Sequence, residues 1–65
     1  MQVATYAPIE GYEVEVGNSA TVYCLEHTRH DLCMRTVRTS TVQKITTHGF
    51  LTLNTYYKRD KAYDS

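Results

Sequence analysis

The 65-residue sequence predicts one small all-β domain, and three observations support that class. Strand-forming residues such as Thr, Val and Tyr recur along the whole chain. The segment "YEVEV" at residues 12–16 alternates apolar and acidic side chains with the period of two that is typical of a strand. No segment carries the apolar stripe of a long amphipathic helix. Five or six short strands in so short a chain hide their edges best by closing into a small barrel.

The N-terminal half of the chain is predicted to form a lead, two strands, a turn and a loop. Pro8 disfavours a helix in the lead, and Gly11 ends it. Gly17 and Asn18 tolerate positive φ and therefore suit the turn between the strands. In order, the elements are an irregular or partly strand-like lead at 1–11, a strand at 12–16, the turn at 17–19, a strand at 20–25 and a polar loop at 26–32.

The C-terminal half is dominated by Thr, Val and Ile and predicts a longer β region. Residues 33–47 exceed the length of a typical strand, so we expect a break or bulge near residues 39–40. The "HG" pair at 48–49 predicts a hairpin turn into a strand at 50–54. The remaining elements are a last strand or 3₁₀ turn at 55–61 and a frayed tail at 62–65.

The order of these elements resembles that of the small SH3-like barrels, which include KOW- and Tudor-type modules. The matching segments are "EVGNSATVY", which ends at Tyr23, "TVQKITTHGFLTLN" at 41–54 and "YYKR" at 56–59. The resemblance implies a barrel of five or six short antiparallel strands, formed by a single domain over residues 1–65 whose core spans about residues 12–60. Because small proteins of this kind are common in bacteriophage genomes, it also implies an accessory or inhibitory protein that docks on a larger host or phage protein.

Charge is unevenly distributed along this formally neutral chain. Residues 1–28 carry a net charge of −4, and residues 29–61 carry +5. The asymmetry permits a basic face, whereas strand alternation could also scatter the charges over the surface. No signal peptide is visible at the N-terminus, and the longest apolar run, "VYCL", is far too short to span a membrane. We therefore expect a cytoplasmic protein with reduced thiols and no membrane partner.

The stretch "CLEHTRHDLC" spaces four potential zinc ligands three residues apart: Cys24, His27, His30 and Cys33. Two residues between the histidines are too few for the chain to reverse and present both pairs to one metal ion. We therefore expect no metal and no cofactor, and retain these four residues only as weak candidates. The better-supported interpretation has Cys24 as a small core residue, Cys33 close to it, and both histidines in solvent.

The side chains best suited to binding lie in the basic half of the chain. Pairing either cysteine with His48 as a nucleophile and base has no supporting local motif, so we expect no enzyme activity. Arginine and tyrosine are enriched at the energetic centres of protein interfaces. The candidates are Arg29, Arg35, Arg38, Lys44, Tyr56, Tyr57, Lys58 and Arg59.

Two kinds of partner fit these candidates. The neutral net charge favours a protein partner over DNA or RNA, which remains the alternative because these cations could contact phosphates and the tyrosines could stack on bases. A second copy of the chain could also pair along an edge strand. A competing interpretation of "YYKR" has one of Tyr56 and Tyr57 packed in the core and the other on the sheet.

Overall fold

The computed structural model describes residues 1–63, which form one six-stranded sheet curled into a half-barrel. The predicted all-β class is therefore confirmed. No helix among the described residues is both long enough and apolar enough to cross a membrane. In chain order the elements are β1 (Gln2–Ala7), β2 (Ser19–His27), a 3₁₀ helix (His30–Leu32), β3 (Arg35–Thr41), β4 (Lys44–Ile45), β5 (Gly49–Leu51), β6 (Thr55–Arg59) and a second 3₁₀ helix (Lys61–Tyr63).

The strands are arranged across the sheet in the order β3-β2-β1-β6-β5-β4. Within residues 1–63, four of the five neighbouring pairs are antiparallel, as predicted, whereas β1 and β6 run parallel. A parallel pair needs a long crossover connection. The whole chain between the two strands serves as that crossover and forms the other four strands. Strands β3 and β4, adjacent in sequence, become the two edges of the sheet.

The prediction of an irregular lead is wrong over residues 2–7, which form a central strand instead. Ala4 and Tyr6 alternate with the exposed Val3 and the half-buried Thr5 and belong to the core, where they are 1% and 3% exposed. The alternation is easy to miss because Ala4 is small and Pro8 follows closely. Strand β1 lies between β2 and β6, so the core begins well before residue 12.

The predicted strand at 12–16 is also wrong, since this segment is an irregular connection between β1 and β2. Only Val14 packs against the core, while Tyr12 and Val16 are 57% and 59% exposed. The strand expected to pair with this segment is β2, but both edges of β2 are already occupied by β1 and β3. The turn that follows does form, with Gly17 at a φ of +93°.

The bulge predicted near residues 39–40 is confirmed, because β3 carries one more residue between Arg38 and Thr41 than β2 carries between Ser19 and Thr21. The β region also breaks further on, at Val42 and Gln43, which separate β3 from β4. Val42 exchanges backbone hydrogen bonds of 2.9 Å with Gly17 and Asn18, and its side chain is 1% exposed. The buried Val42 therefore lies where the chain passes from β3, at one edge of the sheet, to β4, at the other.

The hairpin predicted at "HG" is confirmed by the antiparallel pairing of β4 with β5. Gly49 packs so closely on β6 that an added Cβ would overlap the carbonyl oxygen of Tyr57. The last strand, predicted at 55–61, covers Thr55–Arg59. Of the predicted frayed tail, residues 62 and 63 belong to the second 3₁₀ helix, and residues 64 and 65 lie outside the described residues.

The core is built around three aromatic rings on neighbouring strands. Phe50 stacks on Tyr57 with ring centroids 4.9 Å apart and an interplanar angle of 13°, and Tyr6 meets Phe50 edge-on at 5.1 Å. Val22 and Val42, each 1% exposed, pack beside them. The single Phe and two of the six tyrosines are therefore the large side chains of a core that otherwise consists of small residues.

Candidate functional site

The eight predicted binding residues lie in three places rather than on one continuous surface. Three of them, Arg29, Arg38 and Tyr57, line a polar cavity, and Arg35 donates to the carbonyl oxygen of Asp31, whose carboxylate pairs with Arg29. Three others, Lys44, Tyr56 and Lys58, lie on the outer face of the sheet, where Lys44 and Tyr56 both flank Leu51 in the register. Arg59 lines a separate apolar groove.

Alternation along β6 is what divides "YYKR" between the two faces of the sheet. Tyr57 is 5% exposed and belongs to the core, so of the two tyrosines only Tyr56 lies on the outer face of the sheet. The hydroxyls of Tyr56 and Thr46 are hydrogen-bonded at 3.0 Å. Arg59, two residues beyond Tyr57, donates to the carbonyl oxygen of Thr47 at 2.6 Å. The interpretation that one tyrosine packs in the core is confirmed, and the core tyrosine is Tyr57.

The polar cavity lined by Arg29 and Arg38 has a volume of about 790 Å³, and we call it the basic cavity. Its polar lining includes His27, Arg29, Arg38, Thr55 and Tyr57, which come from β2, the following loop, β3 and β6. No acidic side chain of residues 1–63 lines it. Two like charges facing one space repel each other, so such an arrangement is suited to an anionic ligand.

One part of the lining of the basic cavity is apolar, and we call this part its apolar rim. Met1 and Leu53 line it and are 85% and 64% exposed, and the half-buried Leu32 completes this side. Exposed aliphatic side chains that lie next to cations mark a surface suited to binding a partner. Neither Met1 nor Leu53 was among the predicted binding residues, because isolated apolar residues outside the strands give no local signal of their position.

Asp31 holds two of the arginines in place from outside the basic cavity. Its carboxylate accepts a hydrogen bond from Arg29 Nη2 at 2.8 Å, and its carbonyl oxygen accepts one from Arg35 Nη1 at 3.0 Å. The bond from Arg29 lowers the pKa of the Asp31 carboxyl, and the positive charges of Arg29 and Arg35 lower it further. The charge of Arg29 is therefore partly balanced.

His27 is not the solvated loop residue that the sequence predicted. Strand β2 continues to His27, whose side chain is 6% exposed and meets the ring of Tyr57 edge-on at 6.0 Å. Its Nδ1 accepts the backbone N–H of Arg29 at 2.9 Å. Burial lowers the pKa of His27, and the Arg29 charge lowers it further against the opposing effect of Asp31. The imidazole is consequently neutral near pH 7, with its proton on Nε2.

The Nε2–H group of His27 reaches the space of the basic cavity. Within residues 1–63 this group makes no hydrogen bond. Every side-chain nitrogen or oxygen of these residues that is fully shielded from solvent does have a hydrogen-bond partner. Nε2 must therefore be accessible to solvent, and the basic cavity is the space that His27 lines. The neutral ring supplies a hydrogen-bond donor there without adding a charge.

The two cysteines and His30 do not combine with His27 into a metal site. Across the described chain, residues 1–63, no three side chains of the His, Cys, Asp and Glu types are placed to hold a metal ion. Cys24 is fully buried, as predicted, and its thiol faces the carbonyl oxygen of Glu26 at 3.3 Å. Cys33 is half-buried, with its thiol 3.7 Å from the carbonyl oxygen of His27. Both thiols are free.

A second cavity, of about 430 Å³, lies between the β1–β2 connection and the β4–β5 hairpin. Its walls are mainly apolar and include Pro8, Ile9, Tyr12 and Ile45, with Arg59 at one side. Exposed carboxylates of the connection, such as Glu10, also line it, so its charge is mixed. The basic cavity is the more selective of the two for a charged ligand.

Comparison of the chain with protein-family models, with curated proteins and with solved structures finds no match. The side chains that line the two cavities and the outer face are therefore the basis on which a function can be inferred.

Proposed function

We propose that this protein is a non-enzymatic binding module of the SH3-like type that docks on a larger protein through the basic cavity and its apolar rim. The single observation that carries the proposal is the combination of Arg29 and Arg38 with exposed Met1 and Leu53 around one space. Protein interfaces typically combine buried arginines with an apolar core that excludes water. A nucleic-acid backbone would instead call for cations without an aliphatic rim.

The resemblance to SH3-like barrels extends the proposal to the setting in which the module works. We infer an accessory or inhibitory protein of the bacteriophage type, acting in the cytoplasm of a host cell on a host or phage protein. Pairing of a second copy along the open edge of β3 would make the acting form a homodimer. Light scattering on the purified chain measures that state directly.

The test compares two charge reversals that lie on different faces of the sheet. Arg38→Glu changes the basic cavity, while Lys58→Glu changes the outer face and serves as the matched control. Partner protein captured on immobilised wild-type chain should also be captured by the Lys58→Glu variant and be lost with Arg38→Glu. Calorimetry with the purified partner should then show that one or two residues, among them Arg38 or Leu53, account for most of the loss on alanine substitution. Equal losses from both reversals would argue against the basic cavity as the docking surface.

A second candidate function, nucleic-acid binding, is favoured by the outer face. Tyr56 is half-buried there, next to the exposed Lys58, and Lys44 lies across Leu51 in the same register. Titration of labelled single- and double-stranded oligonucleotides at two salt concentrations tests it. Binding that weakens steeply with salt, and is weakened by Lys58→Glu but not by Arg38→Glu, would assign the outer face to phosphate contacts. The same two variants thus separate both candidate functions.

A further inference from the structure

We propose that the basic cavity is a carboxylate-binding site, and that the group it takes from its partner is a single carboxylate held by Arg38, Arg29 and His27. That the carboxylate belongs to a partner protein rests on the proposed function. That the cavity binds a small carboxylate does not rest on it, and this binding can be measured on the isolated chain.

Arg38 supplies the principal donor. Its backbone pairs with Thr21 of β2, and its side chain lines the cavity without a hydrogen bond or an ion pair to any of residues 1–63. A guanidinium offers two parallel N–H groups that match the two oxygens of a carboxylate. Because β3 is an edge strand, the approach of a ligand to Arg38 is not covered by another strand.

The neighbouring groups add donors without adding much charge. Arg29 lines the same cavity while sharing its charge with the Asp31 carboxylate at 2.8 Å. His27 contributes Nε2–H, because its Nδ1 is already occupied by the Arg29 backbone N–H. Thr55 lies on the same wall, with its hydroxyl donating to Gln2 Oε1 at 3.3 Å.

Counting these charges favours a carboxylate over a phosphate monoester. Arg38 carries one unbalanced positive charge, Arg29 is partly neutralised by Asp31, and His27 is neutral. A monoanion matches roughly one net positive charge, whereas a phosphate monoester carries about −1.5 to −2 near pH 7 and would keep an unbalanced negative charge. The aliphatic rim of Met1 and Leu53 also suits the methylene groups that accompany a carboxylate in a peptide.

The experiment titrates the full, isotope-labelled chain and follows the Arg38 Nε–H and His27 imidazole signals by NMR. The probes are acetate, inorganic phosphate, and two short acetylated peptides: one with a free C-terminal carboxylate, the other amidated with a single internal Asp. We expect saturable shifts of both signals with the carboxylate probes. The two peptides decide whether a chain terminus or an acidic side chain is the better source, since only one carboxylate is present in each.

Matched variants complete the test. Arg38→Gln should weaken binding of the better carboxylate probe by roughly tenfold or more, because it removes a charge-assisted pair. Lys58→Gln removes one charge from the outer face and should leave the affinity within about twofold of wild type. Dispersed backbone spectra confirm that each variant folds. Equal affinity of Arg38→Gln and wild type, or tighter binding of phosphate than of any carboxylate probe, would overturn the proposal.

The outcomes distinguish this inference from the proposed function. Carboxylate binding without capture of a partner protein would support the site and count against the docking proposal. Capture of a partner that depends on Arg38, without saturable carboxylate binding to the isolated chain, would overturn the inference and leave the docking proposal standing.

Discussion

The backbone N–H of Arg29 donates to Nδ1 of His27 across 2.9 Å, so the loop after β2 fixes the protonation site of a buried imidazole. The same residue places its guanidinium at the basic cavity. A protonated His27 would lose this acceptor and would bring a second positive charge close to Arg29 and to the ring of Tyr57. The opposing Asp31 carboxylate offsets only part of that cost.

The free energy of unfolding should therefore decrease as the pH is lowered from about 6.5 towards the lowered pKa of His27 in the folded protein. Above about pH 6.5 the imidazole is neutral in both states, and no penalty arises. As the pH falls, His27 is protonated in the unfolded chain before it is protonated in the folded protein. The stability present above about pH 6.5 is therefore lost progressively until the pH reaches the pKa of His27 in the folded state. Urea unfolding at several pH values measures this slope.

His27→Asn is the informative variant for that slope, since its side-chain oxygen can accept the Arg29 N–H without titrating. It should flatten the pH dependence in this range. His30→Asn, at an exposed position on the first 3₁₀ helix, is the control and should retain the wild-type slope. An unchanged slope in His27→Asn would mean that another group governs the pH dependence.

The core depends on Phe50 far more than on the equally apolar Leu53. Phe50 is fully buried between Tyr6 and Tyr57, while Leu53 is 64% exposed. Phe50→Ala should cost about 3–5 kcal/mol, which approaches the whole stability of so small a domain. Leu53→Ala should change stability by no more than about 0.5 kcal/mol. Thermal and urea unfolding measure both, and a loss from Leu53→Ala comparable to that from Phe50→Ala would contradict this packing.

Local signals in the sequence predicted those parts of the fold that a few neighbouring residues determine. Gly17 and the "HG" pair at 48–49 mark turns through their own backbone requirements, and both turns form. The central position of β1 could not be predicted in this way. It depends on pairing with β6, more than fifty residues away, and its inward side chains, Ala4 and Tyr6, differ greatly in size.

The arginines of the candidate site were predicted from the sequence, but their assembly with apolar residues around one cavity was not. Alternation along β6 indicated that Tyr56 and Tyr57 would face opposite ways, but the stacking of Phe50 on Tyr57 decides which one is buried. Arg29 and Arg38 meet at one cavity because β2 and β3 pair across a short loop. The burial of His27 was not predicted, because β2 extends two residues beyond the predicted end of the strand at residue 25.

The two thiols should react at very different rates. Burial raises the pKa of Cys24, the nearby Cys33 raises it further, and the side chain is fully enclosed, so both thiolate formation and access are restricted. Cys33 is half-buried. Ellman's reagent should therefore titrate one thiol rapidly in the native protein and the other only on unfolding. Cys33→Ser should abolish the fast phase, whereas two fast thiols in the wild type would contradict the burial of Cys24.

The Asp31 carboxylate sets the charge preference of the basic cavity if that cavity binds anions. Asp31→Asn leaves an amide oxygen near Arg29 but removes the negative charge that partly balances it at 2.8 Å. The cavity would then face its ligand with nearly two positive charges, from Arg29 and Arg38. Affinity for inorganic phosphate should rise about two- to fivefold relative to acetate, a modest change because the pair is exposed and screened.

Asp60→Asn is the matched control for that change, because Asp60 lies after β6 and its carboxylate accepts the backbone N–H of Ala62. It alters the net charge of the chain by the same amount at a residue that does not line the basic cavity. The ratio of phosphate to acetate affinity, measured by NMR titration at constant ionic strength, should stay at the wild-type value in this variant. A rise of the same size in both variants would show that the overall charge of the protein, and not the pairing of Arg29 with Asp31, governs which anion is preferred.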